Sequence, residues 1–213
     1  MDKMKALIAR RKLFDKAFSV IGLLALTIGL ITLTALILDL AADGLPRLSW
    51  DFFTSFPSRF ASKAGILSAW VGTTLVMLVT AATAVPLGIA AGLYLEEYAP
   101  KNWMTALIEI NIANLAAVPS IVYGLMAIGL FVYTFNLGQS ILTAGLTLAL
   151  LILPMVIIAT RESVRAIPGN IREAAYALGA TRWQTVRDHV LPYSTGGILT
   201  GVIIALSRAI GES

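Results

Sequence analysis

Two ionisable residues stand where lipid would otherwise surround the chain. Arg208 and Glu212 lie four residues apart, near the end of an apolar run that begins at about Tyr193. At helical spacing they share one face. Thirteen residues of helix rise about 20 Å, past the middle of a hydrocarbon core roughly 30 Å thick. A guanidinium at that depth costs at least about 2.5–3.5 kcal/mol if it faces lipid. It must therefore face a bundle interior or a wet pathway, and it needs a partner, for which Glu212 is the candidate. A planar guanidinium suits a tetrahedral oxyanion, which it binds through two parallel N–H donors. A neighbouring carboxylate keeps such a site from becoming a trap. The other reading of the pair is structural, an Arg–Glu contact that fixes helix register. Ser120 and Tyr123 can also line a path, with packing as the alternative.

Other chemistry is scarce. There is no cysteine and one histidine, His189. Disulfides, iron–sulfur clusters, thiol catalysis and cysteine zinc sites are thereby excluded, and a histidine metal site is disfavoured. No G-x-x-x-x-G-K-[ST] phosphate-binding loop occurs. An intramembrane enzyme would have to rely on carboxylates, and these are not paired in adjacent apolar stretches.

A second constellation is polar and lies outside the apolar runs. Within residues 160–192, Pro168-Gly169 breaks one helix, and Asn170 with Glu173 forms a capping-box pattern for the next. Ala174, Ala175, Ala177 and Leu178 continue that helix. Gly179 is placed to end it, since glycine tolerates a left-handed backbone. Thr181 and Gln184 repeat the cap pattern, and Leu191-Pro192 is expected to stop the second helix. Two capped helices in a connector imply that something docks there; the bland alternative is an ordinary amphipathic loop helix.

The elements that hold these residues are membrane spans. Of the 213 residues, 58% are hydrophobic and 13% charged, against roughly 45–50% and about 25% in a globular protein. The mean hydropathy is +0.84. A soluble chain of this size cannot bury that much apolar side chain. The first span reads as Ala17–Leu38. Its 22 uncharged residues exceed the roughly 7–15 of a signal-peptide core, the competing reading. A mixed loop follows over residues 39–63, with Trp50, Phe52, Phe53 and Phe56 giving it interfacial character. The second span lies within Ala64–Leu95 and carries Pro86, with Gly72, Gly88 and Gly92 offering small faces. Glu96, Glu97 and Lys101 mark a polar break. Trp103–Leu115 is a short amphipathic segment whose polar face holds Glu109, Asn111 and Asn114. The third span runs from about Ala116 to Tyr133, opened by Pro119. The fourth is about Ser140–Ala159, with Pro154 inside. Pro86, Pro119 and Pro154 read as structural kinks.

Charge sets the orientation. With a cytoplasmic N-terminus, the inside segments 1–16, 96–105 and 160–192 hold six, one and five Lys/Arg, and the outside segments 39–63 and 134–139 hold three and none. This positive-inside bias predicts a cytoplasmic N-terminus. It also accounts for the net charge of +4, so nucleic acid is not a predicted partner.

The docking segment resembles a known family. Glu173-Ala174-Ala175, three residues, Gly179, then Leu191-Pro192 is similar to the EAA loop of the membrane subunits of ATP-binding-cassette importers. His189 stands where that pattern usually has an apolar residue. The segments Asn114–Gly124 and Ala205–Glu212 further resemble phosphate-import permeases, above all the second of their two permease subunits. The resemblance implies an all-α polytopic membrane protein with a type I importer (MetI-like) helix bundle. Residues 1–63 would carry the tail, first span and outer loop, and residues 64–213 the permease core with its coupling loop at 160–192.

Under that resemblance Glu173, Ala174, Ala175, Leu178 and Gly179 would face the ATPase, and Arg208, Glu212 and Ser120 the substrate path. The implied partners are a second permease subunit, an ATP-binding-cassette ATPase dimer and an extracytoplasmic phosphate-binding protein. The implied substrate is phosphate, and the location is the bacterial plasma (inner) membrane. No cofactor is expected on this chain, because the partner would bind ATP. The last span looks unfinished, with the Ser213 carboxylate at or near hydrocarbon, so a core cut off before its last return span is expected. Molybdate, sulfate or an amino acid is the alternative solute. A non-transporting scaffold or intramembrane enzyme is the alternative of another class.

Overall fold

A chain this apolar must satisfy its backbone polar groups within each segment, and helices do so. The computed structural model describes the backbone of residues 2–212 and the side chains of residues 11, 12, 14–60 and 62–212. Ser213, whose carboxylate was expected near hydrocarbon, lies outside them. Among the described residues there is no strand. The chain divides into one unit up to Leu67 and another from Ser68.

The first unit is dominated by α1, Asp2–Gly44. Its apolar residues from Phe18 to Leu40 are exposed, as lipid-facing side chains would be. Thr27, Thr32 and Thr34 return their hydroxyls to the carbonyls of Leu23, Ile28 and Leu30, so no hydroxyl is left unpaired in lipid. The expected loop at residue 39 is corrected. Asp39 and Asp43 belong to the helix, which ends only at Gly44 before the tight turn Leu45–Arg47. The run Leu40-Ala41-Ala42 favours helix, and Pro46 supplies the stop. A short helix, α2 (Trp50–Thr54), follows with Ser49 as its cap. Backbone bonds from Gly65, Ile66 and Leu67 to Phe56, Phe52 and Ser55 then close the loop on itself.

The second unit begins along α3, Leu67–Leu93, which continues as a wide i→i+5 turn over Tyr94–Tyr98. Next come α4 (Trp103–Ala116), capped by Asn102, and α5 (Ser120–Ala127), continued through Ile128–Thr134. These two meet at 98°. Then follow α6 (Ile141–Arg165), capped by Ser140, α7 (Gly169–Ala177), α8 (Arg182–Thr185) and α9 (Leu191–Glu212). Among the described residues four helical stretches are long and apolar enough to cross a membrane, and the bent pair makes up to five. Pro86 and Pro154 lie inside α3 and α6, which run on through them.

One expectation about α8 fails. Leu191-Pro192 does not end a helix, for α8 passes into α9 without a break. The residues before Pro192 form an i→i+5 turn, Val186–Val190, in which the Leu191 N–H bonds Val186. That wider turn accommodates the missing proline N–H and its ring, which an ordinary α-turn cannot.

The centre of the second unit is α6. Its Ala149, Leu151, Ile152 and Val156 are buried against Ala84 of α3, Tyr123 of α5 and Ile198, Val202, Ala205 and Ala209 of α9. Small residues permit close approach. A Cβ on Gly88 would stand 2.6 Å from Val156 Cγ1, and one on Gly92 would stand 2.7 Å from Thr160 Cβ. Gly145 meets Val79 in the same way, and Thr80 donates its hydroxyl across the interface to the Gly145 carbonyl at 3.0 Å. On the other side, Gly197 and Gly201 of α9 face Ser163 and Ala159. The Gly88/Gly92 spacing, a weak sequence signal, is therefore the contact face of α3.

Candidate functional site: a docking turn and an intramembrane arginine on one helix pair

Helix α7 and its turn connect α6 to the α8–α9 helix. The expected Asn170/Glu173 capping box does not form. Pro168 takes the cap position without a side-chain bond, and its carbonyl receives the Ile171 N–H. Its fixed φ starts the helix two residues earlier than Asn170 would. Asn170 and Glu173 are thereby left exposed.

The end of α7 is as expected. Gly179 has φ +83°. Its N–H bonds the Tyr176 carbonyl and the Ala180 N–H bonds the Ala175 carbonyl, at 2.9 and 3.1 Å. These are the two bonds of a Schellman closure. Ala175 is buried beneath the helix, and Ala174 is exposed. Leu178 is 90% exposed, with Tyr176 and Trp183 also uncovered. This apolar side chain stands uncovered beside a glycine with open space around it. The second cap pattern also forms: Thr181 and Gln184 make a reciprocal capping box.

An ion-pair cluster that sequence reading missed holds this turn. Arg172 of α7 donates from Nε and Nη2 to Glu97 Oε1 at 2.9 and 2.6 Å. It also donates to the carbonyls of Ile167 and Val164, both at 3.0 Å, near the end of α6 where carbonyls lack helical partners. Glu96 accepts from Arg165 Nε and Nη2 at 3.2 and 3.0 Å. Arg161 reaches Glu109 of α4 at 2.7 Å and Glu96 at 3.5 Å. The polar break at Glu96-Glu97 and the polar face containing Glu109 are thus tertiary contacts. A usable signal was present, since the acidic pair ends one apolar stretch and Arg161 and Arg165 end another. Charges at one membrane level with opposite sign invite pairing.

Arg208 sits on α9, half-buried, and donates from Nη1 to the Met155 thioether of α6 at 3.3 Å. Among the described residues no ion pair joins it to Glu212, and that expected partnership is corrected. Spacing of four allows a contact worth only about 0.2–0.5 kcal/mol, so local packing decides, and α6 offers Met155. Glu212 instead lines a cavity of about 650 Å³ between α3, α5 and α6, with Thr73, Gln139 and Thr147. Ser120 starts α5, half-buried, and is not on that cavity's wall. Of the three expected path residues, Glu212 alone lines this cavity. Tyr123 is buried and donates its hydroxyl to the Leu115 carbonyl at 3.0 Å, so it has the packing role. Among the described residues no group of three or more acidic or histidine side chains is placed to hold a metal ion.

Residues 84–213 match the family described as binding-protein-dependent transport system inner membrane component. The probable ABC transporter permease protein YqgI of Bacillus subtilis is 34% identical over 204 residues, covering 95% of this chain and 69% of that protein. The phosphate transport system permease protein PstA of Pasteurella multocida is 33% identical over 95% of this chain and 72% of its own length. That of Yersinia pestis is 32% identical over 100% and 72%. Among solved structures, the MetNI methionine ABC transporter in an inward facing conformation has a similar fold. Its TM-score is 0.56 at 19% identity, over 69% of this chain and 68% of that one.

Proposed function

The chain belongs to the binding-protein-dependent transport system inner membrane components, and from that premise we propose that it is a channel subunit of an ATP-driven importer of inorganic phosphate. The observation that carries this reading is that one helix pair holds both ends of the machinery. The docking turn is the connection between α6 and α9, and Arg208 with Met155 lies in the interface of those same helices. A push on the turn is thereby a push on the guanidinium.

In this reading the N-terminus and α7 are cytoplasmic, as the Lys/Arg bias supports. A separate ATPase docks on Leu178, Ala174, Glu173 and Gly179, with Ala175 beneath them. It supplies the ATP hydrolysis for which this chain has no phosphate-binding loop. A second permease subunit completes the pathway, and an extracytoplasmic binding protein delivers the solute. Access alternates by rigid-body movement of helices. Among the described residues Arg208 has no carboxylate partner, which leaves its donors available to a tetrahedral oxyanion, and the phosphate permeases among the relatives support that choice of solute. A thioether is a weak acceptor, so the donors are only lightly engaged.

Reconstitution tests the reading. The full-length protein is assembled with its ATPase, second permease and binding protein in proteoliposomes, and labelled phosphate uptake is followed with and without ATP. ATP-dependent phosphate uptake that excess sulfate, molybdate or methionine does not suppress is expected. ATP-dependent uptake of one of those solutes in preference to phosphate would overturn the substrate assignment.

A further inference from the structure

Helix α7 has little of its own to hold it. Of its nine residues only Ala175 is buried, and a small apolar cluster of Val164, Ile167 and Val190, with Leu93 and Ile171 beside it, lies beneath. The remaining attachment is polar and is centred on Arg172. One guanidinium joins three elements: its own helix α7, the Val164 and Ile167 carbonyls near the end of α6, and Glu97 at the end of α3. The Glu97 side chain is only 6% exposed. Its neighbour Glu96 takes Arg165 of α6 in a two-bond contact. Arg182 of α8 lies 5.8 Å from the centre of the Tyr98 ring in the same wide turn. The end of α3 is therefore gripped from both sides of the docking turn.

From this geometry we infer that the Arg172–Glu97 pair is the positioning link through which a displacement of the docking turn reaches α3. The inference rests on the proposed importer function and adds a transmission element to it. Apolar contacts slide, whereas a guanidinium that uses its planar fork on a buried carboxylate and two carbonyls has one geometry. With the link intact, α3, α6 and α7 move together when the ATPase moves α7. With it cut, α7 still presents Leu178 and Glu173 to the ATPase, but its motion is absorbed before it reaches the span. The sign of the effect follows. Loss of the link spares ATP hydrolysis more than it spares transport.

The test uses the full transporter in proteoliposomes and reads uptake and ATP hydrolysis in the same vesicles. Arg172→Met keeps an unbranched, flexible stem and removes the donors. Uptake per ATP hydrolysed is expected to fall about fivefold or more, the span of ordinary coupling energies. Arg172→Lys, which keeps the charge without the fork, should fall between. A second readout does not depend on the solute. The chain has no cysteine, so spin labels at Tyr94→Cys and Asn170→Cys report the distance from α3 to α7. That distance should stay narrow with and without ATP when Arg172 is present, and broaden on ATP addition with Arg172→Met. Unchanged uptake per ATP together with unchanged label distances would overturn the inference. Should Arg172→Met fail to assemble, Glu97→Gln takes its place, and an unchanged ratio there overturns it equally. Absence of phosphate uptake in the unaltered transporter would instead count against the proposed substrate, while the label distances still judge the link.

Discussion

A single methyl group added to Gly92 should separate α3 from α6, and the same methyl on Gly72 should not. At Gly92 the new carbon would lie 2.7 Å from Thr160 Cβ and 3.0 Å from the Ile157 carbonyl oxygen. Carbon atoms pack best at about 3.5–4.0 Å. The obstruction is a β-carbon and backbone, neither of which can swing aside, so the helices must part by roughly 1 Å on that packing distance. Overpacking of this kind costs about 1–3 kcal/mol. Replacing glycine by alanine in a helix returns about 1 kcal/mol. Gly72, in the same helix, has nothing within 4 Å of its Cβ position, so Gly72→Ala collects the gain alone. The two variants should therefore differ by about 1–3 kcal/mol, Gly92→Ala being the less stable.

Thermal unfolding of the purified protein in detergent reads this directly. A difference of about 2 kcal/mol corresponds to roughly 4–8 °C for a chain of this size. A functional consequence accompanies it. The turn carrying Glu96 and Glu97 begins just after Gly92, and a 1 Å shift would lengthen ion pairs now at 2.6–3.2 Å, so uptake should fall as well. Gly88→Ala opens the same interface. The double variant should cost less than the sum of the singles, since the second methyl enters a gap the first has made. Equal melting temperatures for Gly72→Ala and Gly92→Ala would refute the close-packing account.

Other substitutions separate local from partner effects. Gly179→Ala should cost about 1–2 kcal/mol through its left-handed backbone alone, and Gly179→Asn less; hydrogen exchange at the Ala180 amide would report the loosened closure. Glu173 is exposed, so Glu173→Lys should change stability by no more than about 0.5 kcal/mol yet abolish uptake in the full transporter, and normal uptake there would remove Glu173 from the docking surface. Arg208→Gln should alter transport while the ATPase still co-purifies; unchanged transport would take Arg208 out of the pathway.

What could be read in the chain was what depends on neighbours close in sequence. Four of the expected spans, the Thr181–Gln184 cap and the left-handed turn at Gly179 follow from hydrophobic length, hydrogen-bond chemistry and glycine's freedom, whereas the expected third span belongs to a bent helix pair. The misjudged local features were ones where two local rules competed. Pro168 pre-empted Asn170 as the cap, and a wide turn let Pro192 pass within a helix that a proline normally ends. Glycine spacing at Gly88 and Gly92 marked a small face but not the helix it meets.

The candidate site divides along the same line. The turn proposed for docking was legible as a local motif because its cap and its Gly179 closure lie within about twenty consecutive residues, Asn170–Pro192. Its anchor was not, because Arg172 and Glu97 are separated by 75 residues. A charge count at a membrane boundary predicts an orientation without naming partners. Arg208 shows the limit most clearly. Burial cost alone places a guanidinium inside the bundle, whatever the fold. Whether it then meets Glu212, one turn along its own helix, or Met155 on another helix depends on which side chain the packing of α6 against α9 brings within reach, and only the tertiary structure decides that.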